Sequence, residues 1–212
     1  MLIHPWDRGA DDEWREWLTA RDFGLLAANG TDGTAPILVP THFLYAGGDE
    51  VLLHLARPNP VWQAIEANPE LTLAVTDDYA FVPGPWRPTP DVPAADGVPT
   101  SYYASVHLVG TATVIDDPVE KAALIDRQLA RFQPDVPQPP IVPGEAPFGR
   151  MLSAIRGLRL QITEVRPKFK YDDKKPVELQ SSVAERLAER GRPSDAGART
   201  QLLRRRDARV EQ

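Results

Sequence analysis

Three short apolar runs separated by turn residues constrain the first 56 residues more than any other feature of the sequence. The runs span residues 23–28, 36–45 and 51–56, and glycines with Asn or Asp fill the segments 29–33 and 47–49. Runs of this length are typical of β-strands, and the glycines supply the positive φ angles that tight turns require. We therefore predict three strands that pair as an antiparallel meander.

The rest of the chain alternates between strand and helix patterns. Three more strands are predicted, at 71–75, 105–115 and 155–165. Helices are predicted after Asp11–Asp12, from Pro60, from Asp117–Pro118 to Phe132, and around 182–191. In the last of these, Ser182 and Glu185 match a capping box and Gly191 would end the helix.

Two proline-rich segments, 83–99 and 134–147, lack periodicity and predict long loops. About six strands, mostly adjacent in sequence, with three to five helices predict a mainly β, α+β fold, a small antiparallel β-barrel with helical decorations. We expect a barrel domain over residues 1–180 and a helical, arginine-rich tail over residues 181–212.

The composition excludes several classes of site. The chain has no Cys, so it forms no disulfide, thiolate nucleophile or cysteine-ligated metal centre. Glycine-rich phosphate loops and the serine nucleophile elbow are absent, and the four His lack metal-ligand spacing. No apolar stretch is long enough to span a membrane and the N-terminus lacks signal-peptide features, so we expect a cytoplasmic protein with no membrane partner.

The charge distribution is uneven along the chain. The formal net charge of −6 argues against nucleic-acid binding by the whole surface. Residues 181–212, however, contain eight Arg and five acidic residues. This tail is either a polyanion-binding element or a solvated helical segment with charges of both signs.

The segment His54–Trp62 joins the end of a predicted strand to the start of a helix. Arg57 and Asn59 lie in the intervening turn. A fixed cation, an amide donor and backbone N–H groups at a helix start suit a phosphate monoester. The alternative is that Arg57 is a surface charge and Asn59 a simple helix cap.

Tyr102 and Tyr103 are adjacent at the start of a predicted strand, so their side chains face opposite sides of the sheet. One can face the core while the other faces a cleft, although aromatic residues are also common in strands for packing alone. His107, on the same strand, is the best candidate for a general base because its unperturbed pKa is near neutrality. The alternative is a hydrogen-bonded structural histidine.

Cations and aromatic residues alternate in 166–171 at the end of the last predicted strand. Lys168 and Lys170 flank Phe169, with Tyr171 next to them. Such a segment can cradle an anionic planar ligand, or it can present solvated lysine stems at the barrel exit.

Taken together, these segments resemble the PaiB family of FMN-binding split-barrel proteins, which are described as negative transcriptional regulators. The family is related to pyridoxamine phosphate oxidases and flavin reductases. The matching positions, in the family's order and spacing, are His54-Leu55-Ala56-Arg57 with Asn59-Pro60 and Trp62, Val98-Pro99-Thr100 with Tyr103, Val106-His107 with Gly110, and Lys168-Phe169-Lys170. The likeness runs from about residue 1 to the tail helices.

The resemblance implies a split-barrel homodimer with FMN at the subunit interface. Carried over by position, Arg57 and Asn59 would hold the FMN phosphate, and Val39-Pro40-Thr41 would run along the isoalloxazine ring. His54 and Tyr103 would also belong to the cofactor site. Lys168 and Lys170 would reach it, most simply from the second subunit.

The sequence departs from the family pattern at three places: Val82–Arg87, Ser101–Tyr103 and Tyr171–Lys174. Asp172 and Asp173 add two negative charges, which would oppose a phosphate if they faced it and would be neutral if they faced water. An altered site of this fold could instead take haem, with His54 or His107 as axial ligand.

Three functions follow from these patterns. In the first, the protein is an FMN-dependent oxidoreductase whose loop 83–99 shapes a pocket for a small-molecule substrate, lined by Trp86 and Tyr102, with His107 as the catalytic group. In the second, it is a ligand-sensing negative transcriptional regulator that contacts nucleic acid only through its arginine-rich tail. In the third, it is a dimeric scaffold without a cofactor.

Overall fold

The computed structural model describes residues 1–31, 33–88 and 93–210, so residues 89–92 of the predicted loop 83–99 lie outside the described residues. Six strands are present: β1 (Phe23–Ala28), β2 (Ile37–His42), β3 (Glu50–Ala56), β4 (Glu70–Val82), β5 (Thr100–Ile115) and β6 (Ile155–Lys170). Five α-helices accompany them: α1 (Asp11–Thr19), α2 (Val61–Ala67), α3 (Pro118–Phe132), α4 (Val177–Arg190) and α5 (Asp195–Val210). This is the predicted α+β class.

The strands form one six-stranded antiparallel sheet in the order β2-β1-β4-β5-β6-β3. The predicted pairing of β1 with β2 is confirmed, with Phe23 opposite His42 and Ala28 opposite Ile37. The predicted meander is wrong beyond this point, because β3 pairs along its whole length with β6. An isolated bridge between Leu44 and Leu52 joins β3 to the segment after β2.

The last three strands are longer than predicted, with 13, 16 and 16 residues in β4, β5 and β6. Within β4 the apolar pattern is interrupted by Asp77 and by Asp78, which adopts a positive φ of 53°. The strand continues beyond them with Ala80 and Val82 buried and Phe81 exposed. Strand pairing therefore extends past the point where the apolar run ends, and a scan for apolar runs misses the extension.

The structure confirms the predicted α3, and Asp117 caps it by accepting hydrogen bonds from the N–H groups of Val119 and Glu120, both at 2.9 Å. The predicted capping box at Ser182 is wrong, because α4 begins at Val177, directly after the extended Pro176. Gly191 ends α4 as predicted, with a φ of 61° that glycine adopts without strain.

The chain divides into two compact units. The first unit contains residues 1–14, 76–106 and 167–212, and the second contains residues 15–75 and 107–166. The buried apolar core of the first unit includes Trp14, Tyr102, Phe169, Tyr171, Val183, Leu187 and Leu202. That of the second includes Leu18, Leu26, Leu53, Leu73, Leu108, Leu158 and Leu160. The division at residues 180 and 181 stays a prediction.

Across the described ranges 1–31, 33–88 and 93–210, every helix is too short or too polar to cross a bilayer.

Candidate functional site

Arg57 follows β3 directly, in the second unit. Its guanidinium is hydrogen-bonded within the protein through Nε and Nη2. Its Nε donates to the Ser153 carbonyl at 2.8 Å, and its Nη2 donates to Asp116 at 3.1 Å and to the Ile155 carbonyl at 3.3 Å. The side chain is 45% exposed, and no described residue accepts a hydrogen bond from Nη1. Arg57 is therefore a positioned cation with a donor that remains available to an anion.

Asn59 lies two residues further along the same turn. Its Oδ1 accepts a hydrogen bond from the N–H of Val61 at 3.0 Å, which satisfies the first helical residue of α2. In the described part of the chain, nothing accepts from its Nδ2 group. The turn thus offers a guanidinium and an amide as donors two residues apart, as the sequence predicted.

Asp116, the carboxylate beside Arg57, also forms an ion pair with a second arginine, Arg156. Arg156 donates from Nε and Nη2 to the two carboxylate oxygens of Asp116 at 2.7–3.2 Å, and from Nη1 to Glu66 at 2.6 Å. The hydrogen bonds from Arg156 hold the pKa of Asp116 below its usual value. Asp116 remains ionised and supports Arg57, and its charge is shared between two guanidinium groups.

Val39, Pro40 and Thr41 lie on β2, which is an outermost strand of the sheet. Thr41 is buried and Pro40 is exposed, so their side chains point to opposite faces. Proline is tolerated on such a strand because it has no N–H to donate to a ladder. One backbone edge of this segment has no neighbouring strand in the sheet order, which suits contact with a planar polar ligand.

His54 lies on β3 with its ring held by α3. Its Nδ1 is 2.6 Å from Oε1 of Gln128, and its ring centroid is 4.9 Å from that of His42. This hydrogen bond fixes the orientation of the His54 ring. His42 is also half-buried, and burial lowers its pKa, as does the neighbouring His54.

His107 is half-buried on β5, and burial lowers its pKa, so its imidazole is neutral at pH 7. A neutral imidazole can accept a proton, which is the state that a general base requires. Its assignment as a catalytic group stays a prediction.

In the first unit, the two lysines of the late motif make contacts within the protein. Lys168 Nζ donates to the Leu2 carbonyl at 2.8 Å, lies 3.9 Å from the Asp7 carboxylate and sits 5.6 Å from the ring centroid of Tyr103. Lys170 Nζ donates to Thr100 Oγ1 at 2.6 Å and to the Ser101 carbonyl at 2.8 Å. Burial lowers the pKa of Lys170.

The predicted pocket-lining pair lies in the first unit as well. Tyr102 is fully buried, and its hydroxyl donates to Asp172 at 3.0 Å. Burial raises the pKa of this hydroxyl well above its usual value. Trp86 is half-buried with the Arg190 guanidinium 4.8 Å from its ring centroid. The enclosed position of Tyr102 gives it a packing role in this structure.

Asp172 and Asp173 each have an arginine partner. Arg87 donates to both carboxylate oxygens of Asp172 at 2.6 and 2.9 Å, and Arg205 binds Asp173 at 2.5 Å. The two charges are therefore compensated inside the first unit. The sequence analysis missed both partners, because Arg87 precedes Asp172 by 85 residues and no local pattern links them.

Most tail arginines are also paired. Arg190 binds Asp195 with two hydrogen bonds at 2.8 and 2.5 Å, and Arg205 binds Glu13 at 2.7 Å. Arg204 also contacts Glu13, Arg206 contacts Asp207, and Arg209 contacts Gln180. The net positive charge of the tail is therefore largely used within the chain.

In the described ranges, no group of three or more His, Cys, Asp or Glu side chains is arranged to hold a metal ion.

The six-stranded antiparallel sheet with its helices matches the predicted split β-barrel. Residues 2–164 match the family model described as "Putative FMN-binding domain". This match covers well over half of the chain, and the protein belongs to that FMN-binding family, as the resemblance predicted. Lys168 and Lys170 lie outside the matched residues.

Solved structures share the fold at low sequence identity. The flavocytochrome Anf3 from Azotobacter vinelandii has a TM-score of 0.57 and 19% identity over 78% of this chain and 70% of its own. An FAD and heme binding protein from Mycobacterium smegmatis has a TM-score of 0.58 and 21% identity, over 76% of this chain and 71% of its own. A conserved hypothetical protein from Mycobacterium tuberculosis has a TM-score of 0.57 and 16% identity, over 83% of this chain and 94% of its own. A search of the curated proteins gave no match.

Proposed function

We propose that this protein binds FMN in a homodimer and acts as a flavin-dependent oxidoreductase on a small molecule. The observation that carries the proposal is the pair of available donors on Arg57 and Asn59 in a chain of the FMN-binding family. Flavin supplies hydride or electron transfer when bound, while the protein supplies binding and orientation.

The donor set of the turn fits the phosphate end of FMN. A phosphate dianion accepts hydrogen bonds from a guanidinium and an amide, and charge-assisted hydrogen bonds of this kind are the strong ones. Arg57 is fixed by two carbonyls and by Asp116, so little side-chain entropy is lost when it binds. The Asp116 charge is shared with Arg156, which limits its repulsion of the phosphate.

Two histidines in the second unit are suited to positioning and proton transfer. Gln128 orients the His54 ring through a hydrogen bond to its Nδ1. Burial keeps His107 neutral, and it can therefore take up a proton. The assignments of Val39, Pro40, Thr41, Tyr103, Lys168 and Lys170 to the cofactor site rest on the family resemblance. The assignment of Trp86 and Tyr102 to a substrate pocket rests instead on the proposal that loop 83–99 shapes that pocket.

The homodimer is supported by an exposed apolar face on β1 and β2. Side chains of Phe23, Leu25 and Ala27 share this face with Leu38 and Pro40, because the register pairs Leu25 with Pro40 and Ala27 with Leu38. Phe23 is 61% exposed and Leu38 is 56% exposed. Contiguous apolar surface of this kind on a sheet favours association with a second copy.

Leu38→Glu is expected to convert the dimer to a monomer, because it places a charge on this apolar face. Light scattering coupled to gel filtration measures the change in mass. Val119→Glu is the matched control, since Val119 is 68% exposed on α3 and its replacement should leave the mass unchanged. A Leu38→Glu variant with the same mass as the control would contradict the proposed interface.

Arg57→Ala is expected to weaken FMN binding by about 10- to 100-fold, the value of a hydrogen bond to a charged group. Riboflavin lacks the phosphate, so its affinity should stay the same in the variant. Flavin fluorescence titration measures both affinities. Arg127→Ala is the control, because Arg127 is an exposed arginine that forms an ion pair with Glu50. Equal losses for FMN and riboflavin would contradict a phosphate role for Arg57.

The second candidate is a ligand-sensing negative transcriptional regulator that uses the tail 181–212 to bind nucleic acid. The ion pairs of Arg190 with Asp195 and of Arg205 with Glu13 leave less positive charge for such a role. Haem with His54 or His107 as axial ligand is the alternative cofactor. A cytoplasmic location is proposed on the absence of Cys, which agrees with a reducing compartment.

A further inference from the structure

A pocket of about 430 Å³ lies in the first unit, lined by residues of the segment 5–13, by Asp173 and by the end of α5. Its volume is in the usual range for small-molecule sites. Four arginines and three carboxylates belong to the lining. None of these residues is assigned to the flavin site, so the pocket calls for a separate explanation.

Two of the arginines and two of the carboxylates neutralise each other. Arg205 donates to both carboxylate oxygens of Glu13 at 2.7 Å and to Oδ2 of Asp173 at 2.5 Å. Arg204 also binds Glu13. The side chains of Arg205, Glu13 and Asp173 are only 11%, 10% and 2% exposed. This buried network fixes one wall of the pocket and adds no net charge to it.

The backbone of the segment 5–13 is held in place by α5 and β6. Arg205 Nη2 donates to the Trp6 carbonyl at 3.0 Å, and the N–H of Gly9 donates to the Pro167 carbonyl at 3.4 Å. A Cβ at Gly9 would lie 2.6 Å from the ring of Phe169, so the close approach to β6 requires glycine. The side chains that this segment contributes to the pocket therefore start from a fixed backbone.

The three remaining charged side chains of the lining form no ion pair with any described residue. Arg8 is exposed, and its guanidinium has no described acceptor. Arg209 is also exposed and binds only the uncharged Gln180, through Nη2. Asp12 accepts a hydrogen bond from the N–H of its neighbour Glu13 at 2.9 Å and contacts no cation. The pocket thus presents two guanidinium groups and one carboxylate that the described chain leaves unpaired.

Asp173 adds a buried acceptor to this set. Its Oδ2 is bound by Arg205, but its Oδ1 receives no hydrogen bond from any described residue. A buried carboxylate oxygen without a donor is costly. A ligand that brings an N–H group to this wall of the pocket would supply the missing donor.

We propose that this pocket binds an α-amino dicarboxylate, the chemical class of aspartate and glutamate. The two carboxylates of such a ligand match the guanidinium groups of Arg8 and Arg209, which suit bidentate hydrogen bonds to carboxylates. Its ammonium group matches Asp12 and carries donors for Asp173. A phosphate or a plain dicarboxylate fits less well, because it would face the unpaired Asp12 with a like charge.

Isothermal titration calorimetry of the full-length protein with glutamate and with aspartate is the first test. We expect saturable binding of at least one of the two amino acids. Glutarate and succinate lack the ammonium group, and each should bind about tenfold more weakly than the matching amino acid. No saturable binding of either amino acid would overturn the proposal. A plain dicarboxylate that binds as tightly as its amino acid would overturn it as well.

Arg8→Ala and Arg209→Ala should each weaken binding of the amino acid by about tenfold, as expected for loss of one hydrogen bond between charged groups. Both side chains are exposed, so the variants should fold normally. Arg199→Ala is the matched control, because Arg199 is an exposed arginine of α5 outside the pocket lining. Equal amino-acid affinity in all three variants would contradict the site.

Asp12→Asn tests the ammonium contact. Asn keeps an acceptor for the N–H of Glu13 and removes the negative charge. The variant should bind the amino acid about tenfold more weakly, while its affinity for glutarate and succinate should stay the same or rise. Losses of the same size for the amino acid and for its plain dicarboxylate would show that Asp12 does not recognise the ammonium group, against the proposal.

Discussion

Asp172→Asn is expected to lower the free energy of unfolding by about 3–5 kcal/mol, the usual cost of breaking a buried ion pair by removing one partner. The side chains of Arg87 and Asp172 are only 12% and 9% exposed. Asn keeps the shape of the side chain but leaves the Arg87 guanidinium buried without a counter-charge. It also weakens the acceptor of the buried Tyr102 hydroxyl. Urea unfolding followed by circular dichroism measures the loss.

Asp49→Asn is the matched control, because it breaks an Arg–Asp pair at the surface. Arg15 and Asp49 pair at 3.1 Å with side chains 37% and 67% exposed. Pairs of this kind contribute about 0–1 kcal/mol, so the control should lose little stability. Similar losses in the two variants would mean that burial does not set the strength of the Arg87–Asp172 pair.

Gly110→Ala is expected to cost more than about 3 kcal/mol, beyond the ordinary range for overpacking. A Cβ at this position on β5 would lie 2.1 Å from the carbonyl oxygen of Gln161 on β6. The obstacle is backbone rather than a flexible side chain, so relief requires the two neighbouring strands to separate. We expect poor yield of folded protein and a lowered unfolding midpoint in urea.

Thr111→Val serves as the control for Gly110→Ala, since Thr111 is the next residue on the same strand and is half-buried. Its hydroxyl donates to Glu70 at 2.8 Å in an exposed contact, and its loss should cost under about 1 kcal/mol. A Gly110→Ala variant as stable as Thr111→Val would show that β5 and β6 can part at this point without cost.

Local patterns predicted the elements whose signals are contained in a few residues. β1 and β3 have clean apolar runs between glycine-rich turns, and α3 begins at a true capping residue, Asp117. The failures involve non-local partners. The pairing of β3 with β6 joins residues about 100 positions apart, and Ser182 matches a capping box although the chain already turns helical at Val177.

The candidate site divides in the same way. Arg57 and Asn59 were predictable because they share one short turn after a strand. The groups that position Arg57 were not, since Asp116, Ser153 and Ile155 are far from it in sequence and show no motif until folding brings them to this turn. The carboxylates Asp172 and Asp173 were predicted to oppose a phosphate if they faced it and to be neutral if they faced water. Only the structure reveals the arginines that pair with them.

The most direct test of the account is the absorption spectrum of the full-length protein after saturation with FMN and exhaustive dialysis. The account predicts that the bands of oxidised flavin are retained in an amount equimolar with the chain. A colourless protein after dialysis would contradict FMN binding, and so would a spectrum that takes up haem and retains no flavin.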